Sequence, residues 1–352
     1  MKLYIASTSG YSGKTLLALG LSRVWSGGGV SVGYVKPLGK IPVVEEGRIV
    51  DGDALFLAKE MGLPGPLEDV CPVVITQDLV MAAYRREPLH LRERVGRAVE
   101  KAASRVDILL LGGAANLSDG FFLGLSPLDI ISSLDCRVLL VDRFTAEESM
   151  DQLLWTARIL GDRLLGVVLN RVAASQEAFV RDVVRPYIEG GGTRFFGAIP
   201  ADPVMESVSV AALAAALPAH VEGGGDFLDK MIENFCVGAM DVESALRVFR
   251  RIPRKAVVTG GMRADIQQAA LETDTRCLVL TGGIPPNERI RRRAETLGIP
   301  VLVTKEHTMA AVERFEQLLG RLRIREKVKI DRGVSLVAEN VDVGGVLAAL
   351  KE

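Results

Sequence analysis

The fold of this chain is decided by the stretch KLYIASTSGYSGKTLLALGLSRV, residues 2–24. A short apolar run ends in a loop of small residues, and the loop ends in Gly13-Lys14-Thr15 before an apolar-rich helical segment. Strand, loop and helix in this order are the context that a phosphate-binding loop requires. Thr8 stands where such loops usually open with glycine. The alternative is a capped strand-to-helix turn that happens to spell Gly-Lys-Thr.

The loop indicates which residues would hold the phosphates of ATP. Glycines at positions 10 and 13 let backbone N–H groups approach phosphate oxygens without a Cβ in the way. Lys14 can reach the β- and γ-phosphates, and the Thr15 hydroxyl can ligate Mg²⁺. The helix that begins near Gly13 directs its positive end at the anion. We therefore predict ATP and Mg²⁺ as cofactors, bound by Gly10, Tyr11, Ser12, Gly13, Lys14 and Thr15.

Composition narrows the class of protein. A chain of 352 residues is long enough for one to three domains, each with its own core. The net charge of −1 suggests neither a nucleic-acid footprint nor a basic membrane face. No apolar run approaches the ~20 residues that span a bilayer, and the four scattered cysteines show no Cys-x-x-Cys pair. We expect a cytoplasmic protein with reduced, mostly buried cysteines and no zinc site.

Apolar runs alternate with amphipathic stretches over the first 220 residues. Strands are predicted at residues 31–36, 107–111, 137–141, 164–169 and 194–199, with helices at 53–61, 89–104, 146–160, 175–188 and 208–217. This alternation predicts an α/β fold of the phosphate-loop NTPase type, a mostly parallel sheet with helices on both faces. Ligands bind at the carboxyl ends of such strands. One rim should therefore carry Lys14, Lys36, Gly112, Asp142, Asn170 and Pro200.

A second, smaller α/β unit is predicted after the glycine run at residues 223–225. The expected domains are residues 1–222 and 226–320, followed by a tail at 321–352 that is strand-like at 328–337 and ends in a short helix. Two Thr-Gly-Gly turns, at 259–261 and 281–283, each follow an apolar strand and precede a helix. They are either anion sites at helix N-termini or tight turns where glycine is needed only for geometry.

The order of these motifs resembles dethiobiotin synthetase and its relatives. The resemblance rests on the phosphate loop, Lys36-Pro37 after the second strand, residues 51–55 and the strand-terminal Asn170. It is closer still to the dethiobiotin-synthetase-like domain that precedes the catalytic domain in long phosphotransacetylases. Residues 226–320 resemble the DRTGG domain that follows it there. We find no counterpart of the transacetylase domain, so phosphotransacetylase activity is not expected.

The resemblance implies roles for individual residues. Lys36 would face a phosphate, or a substrate carboxylate or carbamate, unless it is a strand-end lysine in solvent. Asp53 would ligate Mg²⁺ opposite Thr15, with Asp51 as a weaker alternative ligand, unless Asp53 is only a helix N-cap. Asn170 would read the adenine edge, unless it is a turn residue. The turn at Pro200 would line the base. Apart from the resemblance, Asp142 and Arg143 follow a predicted strand and Asp129 lies in a nearby loop, so they either point into the rim or are solvated or capping residues.

Two departures from dethiobiotin synthetase bear on function. Gly112 stands where the family has a glutamate that organises Mg²⁺ and substrate, and Lys40 replaces a small hydroxyl residue. A true dethiobiotin synthetase is therefore not expected. Two hypotheses remain open, an enzyme that hydrolyses ATP or activates a carboxylate, and a non-catalytic nucleotide sensor that controls a separate partner enzyme of acetyl-phosphate metabolism. The resemblance also implies a homodimer, with the DRTGG-like part as a regulatory or dimerising unit.

Overall fold

The computed structural model describes residues 1–320 and 324–352. The chain forms two compact units, one built from residues 1–201 and 327–352 and the other from residues 202–326. The boundary lies earlier than the predicted residue 222, because the strand Ala219–Gly223 pairs with Val301–Thr304 of the second unit. The predicted tail does not stand alone, since residues 327–352 belong to the first unit. Residues 321–323 of that tail lie outside the described residues.

The central sheet of the first unit is parallel. The strands of this unit are β1 Lys2–Ala6, β2 Val32–Val35, β3 Leu38–Gly39, β4 Pro42–Glu45, β5 Arg48–Asp51, β6 Val73–Val74, β7 Ile108–Gly112, β8 Arg137–Arg143, β9 Leu164–Val172 and β10 Phe195–Pro200. Six of them form the sheet in the order β10-β9-β8-β1-β7-β2, and every neighbouring pair is parallel. Strands β3 and β6 pair separately, and β4 and β5 form a hairpin. The carboxyl ends of the six strands therefore share one edge, as predicted.

Helices cover both faces of this sheet. They are α1 Lys14–Gly27, α2 Gly52–Met61, α3 Leu67–Val70, α4 Gln77–Tyr84, α5 Leu91–Ala103, α6 Pro127–Ser133, α7 Glu147–Leu160, α8 Glu177–Phe179, a π-helical turn Val180–Val184, α9 Arg185–Gly190, and, at the C-terminus, α15 Lys327–Asn340 and α16 Val343–Lys351. Tyr4 and Ala6 of β1 join a core with α5, α6, α7 and α9. The alternating Leu3 and Ile5 are equally buried, on the face that α1 covers.

The strand predicted at residues 328–337 is wrong, because α15 occupies this segment. Its buried residues recur at three- and four-residue spacing: Lys329, Ile330, Gly333, Leu336 and Val337. That spacing is the period of a helix with one buried face, whereas a half-buried strand buries every second residue. The buried face packs against α1.

The second unit has its own sheet and its own cores. Its strands are β11 Val208–Ser209, β12 Ala219–Gly223, β13 Met231–Ile232, β14 Asn234–Val237, β15 Lys255–Gly260, β16 Thr275–Thr281 and β17 Val301–Thr304, and its helices are α10 Val210–Ala216, α11 Val242–Arg251, α12 Ala264–Leu271, α13 Glu288–Thr296 and α14 Thr308–Gly320. The sheet order is β12-β17-β16-β15-β14, parallel except for β12. Leu278 and Val279 point into separate apolar cores on its two faces. This is the smaller α/β domain that the sequence predicted.

Candidate functional site

The phosphate loop joins β1 to α1 at the carboxyl edge of the sheet. Two of its residues have left-handed backbone, Tyr11 with φ 59° and Gly13 with φ 110°. No side chain caps the N-terminus of α1. The first N–H groups of a helix lack intrahelical partners and carry partial positive charge. The loop therefore presents an uncapped helix N-terminus, with Lys14 and Thr15 as its first residues, which suits a bound phosphate.

Lys14 lies back on its own loop. Its Nζ donates to Ser7 Oγ at 2.5 Å and to the Ser9 carbonyl at 3.3 Å. Burial lowers the pKa of Lys14 to about 8, against the opposing effect of the Asp142 carboxylate. The charges of Asp53, Asp119 and Lys36 also act on its pKa. The sequence predicted four of these charged groups, Lys14, Lys36, Asp53 and Asp142, whereas Asp119 was not among its candidates.

Asp142 fixes the shape of the phosphate loop. This carboxylate, 2% exposed at the end of β8, accepts hydrogen bonds from the Thr8 hydroxyl, from Thr8 N–H at 3.3 Å and from Ser12 Oγ at 2.9 Å. Thr8, the departure from the usual motif, is therefore held by a carboxylate from the neighbouring strand. The other predicted loop carboxylate, Asp129, caps α6 in a capping box with Ser126. Of these two, only Asp142 contacts the phosphate loop in the hydrogen bonds described.

Asn170 packs under the same loop. Its Nδ2 donates to the Ser12 carbonyl at 2.9 Å, and its Oδ1 accepts from Arg171 N–H at 2.9 Å. The side chain is almost fully buried at 4% exposure. A Cβ at Gly13 would lie 2.2 Å from Asn170 Nδ2, so the loop and the amide need glycine at position 13. Adenine recognition by Asn170 stays a prediction. Pro200 ends β10 at the same edge.

Lys36 is a buried ion-pair partner and not a lysine in solvent. Its Nζ donates to Asp51 Oδ1 at 2.8 Å and to Asp53 Oδ2 at 3.2 Å. Burial alone would lower the pKa of Lys36, but the carboxylates of Asp53 and Asp51 raise it above its ordinary value. The assignment of Lys36 to a phosphate or substrate carboxylate stays a prediction.

The two aspartates that pair with Lys36 differ in how exposed their carboxylates are. Asp51 is fully buried and caps α2, accepting from Asp53 N–H at 3.0 Å, Ala54 N–H at 2.9 Å and Ile41 N–H at 3.0 Å. The helix N-cap is thus Asp51, two residues before Asp53, for which the sequence had allowed that role. The side chain of Asp53 is 22% exposed. Asp53 is therefore the carboxylate of the pair that remains accessible to a cation.

Tyr34 explains the missing side chain at position 112. A Cβ at Gly112 would lie 2.0 Å from the Tyr34 hydroxyl oxygen. Tyr34 is 5% exposed, and burial raises its pKa well above the ordinary value, as do the nearby Asp53 and Asp51 charges. The core next to the site is therefore filled by the phenol, and position 112 holds no carboxylate.

Asp119 contributes a carboxylate to the rim from the loop that follows β7. It accepts from Ala115 N–H at 2.8 Å and pairs with Lys40 Nζ at 2.9 Å. Sequence reasoning passed over Asp119 because it lies seven residues beyond the end of β7, whereas predicted rim residues such as Asp142 and Asn170 directly follow predicted strands. Its partner Lys40 was noted only as a departure from the family.

The site offers few protein groups as ligands for Mg²⁺. Among residues 1–320 and 324–352 there is no group of three or more His, Cys, Asp or Glu side chains that could hold a metal ion. Mg²⁺ commonly binds through one or two protein oxygens together with phosphates and water. The hydroxyl of Thr15 and the accessible carboxylate of Asp53 would supply such ligands, and the cation would bring Lewis-acid stabilisation of phosphate charge.

The Thr-Gly-Gly turns of the second unit support the interpretation as tight turns. Their N–H groups donate to backbone carbonyls of the same unit: Gly261 to Thr281 at 3.1 Å, Gly282 to Glu306 at 3.0 Å and Gly283 to Thr304 at 2.8 Å. Gly282 and Gly283 also have positive φ, which favours glycine. Arg263 pairs with Asp265 at 3.0 Å. These N–H groups are consequently engaged inside the protein and not directed at a ligand.

The fold and the loop define the first unit as a phosphate-loop NTPase-like domain. The chain belongs to the AAA_26 family, described as an AAA domain, which matches residues 1–209. The DRTGG domain family matches residues 212–318. Both halves of the predicted resemblance are thereby confirmed.

Curated relatives agree with the two families. A phosphate acetyltransferase of Pseudomonas aeruginosa is 24% identical over 364 residues, covering 96% of this chain and 50% of that protein. The ATP-dependent dethiobiotin synthetase BioD of Methanococcus vannielii is 23% identical over 204 residues, covering 56% of this chain and 92% of that protein. The chain thus spans about half the length of the phosphate acetyltransferases it matches. The solved cell division ATPase MinD of Pyrococcus furiosus, 19% identical over 58% of this chain and 84% of that chain, has a TM-score of 0.37, too low to support an inference.

Proposed function

We propose that the first unit binds ATP with Mg²⁺ and that the chain acts as a nucleotide-responsive regulatory module. The observation that carries this proposal is the uncapped N-terminus of α1 with Lys14 folded over the loop. An anion at the loop would give Lys14 a better partner than the neutral Ser7 hydroxyl. Asp53 supports a role for Mg²⁺, because its carboxylate is partly exposed beside Lys36.

Regulation is favoured over efficient catalysis by the arrangement at position 112. Phosphoryl transfer depends on positioned charge and metal ions. Tyr34 fills the place where the side chain of residue 112 would extend, so this position contributes no charge to the site. Binding depends on Gly13-Lys14-Thr15, which the loop retains. Weak ATP hydrolysis or carboxylate activation is the second candidate function, favoured by the presence of Lys14, Thr15 and Asp53.

The comparisons suggest what would be regulated. The phosphate acetyltransferases that match this chain are about twice its length. We propose that it forms a homodimer and controls a partner enzyme of acetyl-phosphate metabolism in the cytoplasm. Within the described residues no helix has the length and apolarity needed to cross a membrane.

Calorimetry with Mg-ATP tests the proposal. Wild type should bind, and Lys14→Ala should lose most of the affinity, because the lysine supplies the cation for the phosphates. Lys59→Ala is the matched control, since Lys59 is 64% exposed and pairs with Glu45 at 2.8 Å. Phosphate release measured on the same samples separates the two candidates, with turnover indicating an enzyme and binding alone a sensor. Equal affinity of wild type and Lys14→Ala would contradict binding at this loop.

A further inference from the structure

An exposed cluster of large apolar side chains lies on the first unit, and we call it the aromatic face. It consists of Met81 and Tyr84 from α4, and Phe121 and Phe122 from the turn that follows β7, with exposures of 44%, 69%, 74% and 56%. The Tyr84 and Phe122 rings pack with centroids 4.8 Å apart and planes at 46°. The two segments are distant in sequence, and this ring contact joins α4 to the turn at Phe121 and Phe122.

The apolar area of this face is comparable to that of the core of a protein–protein interface. With ~200 Å² for each large side chain, the four exposures amount to about 500 Å² of apolar surface, near the top of the range for the largest patch on a monomer. Two such faces placed together would remove about 1,000 Å² from water, the area at which a specific interface becomes credible. We propose that the aromatic face is where a second copy of this chain docks.

The charges around the face favour a second copy of this chain over a partner whose surface carries charge of one sign. Basic and acidic side chains border the face and pair with one another: Arg85 with Glu87 at 3.6 Å, His90 with Glu93 at 3.2 Å and Arg92 with Asp129 at 3.0 Å. An anionic membrane or an acidic protein would be met by an excess of basic residues, which this border lacks. A two-fold interface brings a patch against itself, so it needs both signs within one patch.

A groove beside the rings offers a place for the partner's side chain. It has a volume of about 370 Å³ and is lined by Ala83, Leu89, Leu91, Phe122 and Leu123 on its apolar side. Interface energy concentrates where an aromatic anchor fills a pocket on the partner. Phe121, the most exposed ring of the face, is such an anchor, and in a two-fold arrangement each copy would place it in the other's groove.

This inference rests on the homodimer of the proposed function, and it is independent of nucleotide binding. Sedimentation velocity of the full chain across a range of concentrations tests it. Wild type should dimerise, and Phe122→Glu and Tyr84→Glu should weaken the dimer about 30-fold or more. Tyr187→Glu is the matched control, because Tyr187 is 63% exposed on α9, outside the face, and this variant should dimerise like wild type.

Several outcomes would overturn the assignment. A wild-type chain that is monomeric at every concentration would do so, as would dissociation by Tyr187→Glu with no effect of the face variants. Association with anionic vesicles that Phe122→Glu abolishes while the chain stays monomeric would assign the face to a membrane instead. Phe121→Ser, checked by circular dichroism, provides a milder variant should either glutamate variant perturb folding. Mg-ATP calorimetry on the same samples reads nucleotide binding separately, so a failure of docking and a failure of the nucleotide site are distinguishable.

Discussion

The hydroxyl of Tyr34 occupies the space into which a side chain at position 112 would grow, with only 2.0 Å between that oxygen and a Cβ built on Gly112. The two residues lie on paired strands, β2 and β7, at the edge that carries the phosphate loop. In the resemblance to dethiobiotin synthetase, Gly112 is predicted to replace a glutamate of that family. A side chain at position 112 therefore requires the Tyr34 phenol to move within the core.

Gly112→Glu should destabilise the first unit by about 3 kcal/mol, because it overpacks the core and buries a carboxylate beside Asp53 and Asp51. The effect should be smaller by about 2 kcal/mol in a Tyr34→Ala background, where the clash is absent. Urea unfolding of both single variants and the double variant measures this coupling. Gly96→Glu is the control, since a Cβ at Gly96 meets nothing within 4 Å and α5 should gain from losing a glycine. Additive effects at 34 and 112 would contradict the proposed steric exclusion.

Gly13→Ala should abolish Mg-ATP binding and cost about 2 kcal/mol of stability, because it combines positive φ with a Cβ 2.2 Å from Asn170 Nδ2. Gly29→Ala isolates the backbone effect. Gly29 also has positive φ, at 83°, but a Cβ there meets nothing within 4 Å. Its cost should be about 1 kcal/mol, with ATP binding unchanged. Thermal unfolding and calorimetry of both variants provide the comparison, and equal losses of affinity would argue against a specific role for the Gly13–Asn170 contact.

The parallel sheet and the rim could be predicted because their signals are local. The strand predicted at residues 107–111 differs from β7 by one residue at each end, and a buried apolar run followed by small or polar residues places the site edge without any long-range information. Asp142 was likewise identified as a rim residue because it directly follows such a run. Its bonds to Thr8 and Ser12 could not be derived, since they depend on how β8 lies beside β1.

What sequence reasoning missed depends on contacts between distant segments. Asp119 acquires its position from Lys40, 79 residues earlier, and no spacing in the sequence indicates that pair. The exclusion at Gly112 requires the register of β2 against β7. The α15 segment contains the β-branched residues Val328, Ile330 and Val334, which favour extended structure, whereas packing against α1 decides for a helix.

Asp51 and Asp53 both pair with Lys36, but we expect different effects from their substitution. Asp51→Ala should lower stability, and Asp53→Asn should change Mg²⁺-dependent ATP binding. Asp51→Ala removes the cap of α2 and one partner of a buried lysine, so a loss of about 3–5 kcal/mol is expected. The pKa of Lys36 is raised in the fold, so the stabilisation from its carboxylates is present below the ordinary lysine pKa and is lost only as pH rises through the raised value. The loss in Asp51→Ala should therefore be constant across the neutral range, as urea unfolding would show.

Asp53→Asn should instead leave stability within about 1 kcal/mol of wild type, because Asp51 still pairs with Lys36. Its effect should fall on the Mg²⁺-dependent part of ATP affinity, measured by calorimetry with and without the cation. Asp69→Asn is the control, since Asp69 is a partly exposed aspartate paired with Lys101 at 2.6 Å. Unchanged Mg²⁺ dependence in Asp53→Asn would remove this residue from the set of metal ligands.

The low pKa of Lys14 predicts that ATP binding at the loop is coupled to proton uptake. Burial places this pKa at about 8 in the protein alone. A bound polyphosphate favours the charged ammonium and raises the pKa, so binding near pH 8 must take up a fraction of a proton. Affinity should then fall as pH rises from about 7 to about 9, and calorimetry in buffers of different ionisation enthalpy should detect the uptake. Lys14→Arg keeps its charge throughout this range, so any binding it retains should show no such dependence. A pH-independent affinity of wild type would mean that Lys14 does not meet the phosphates.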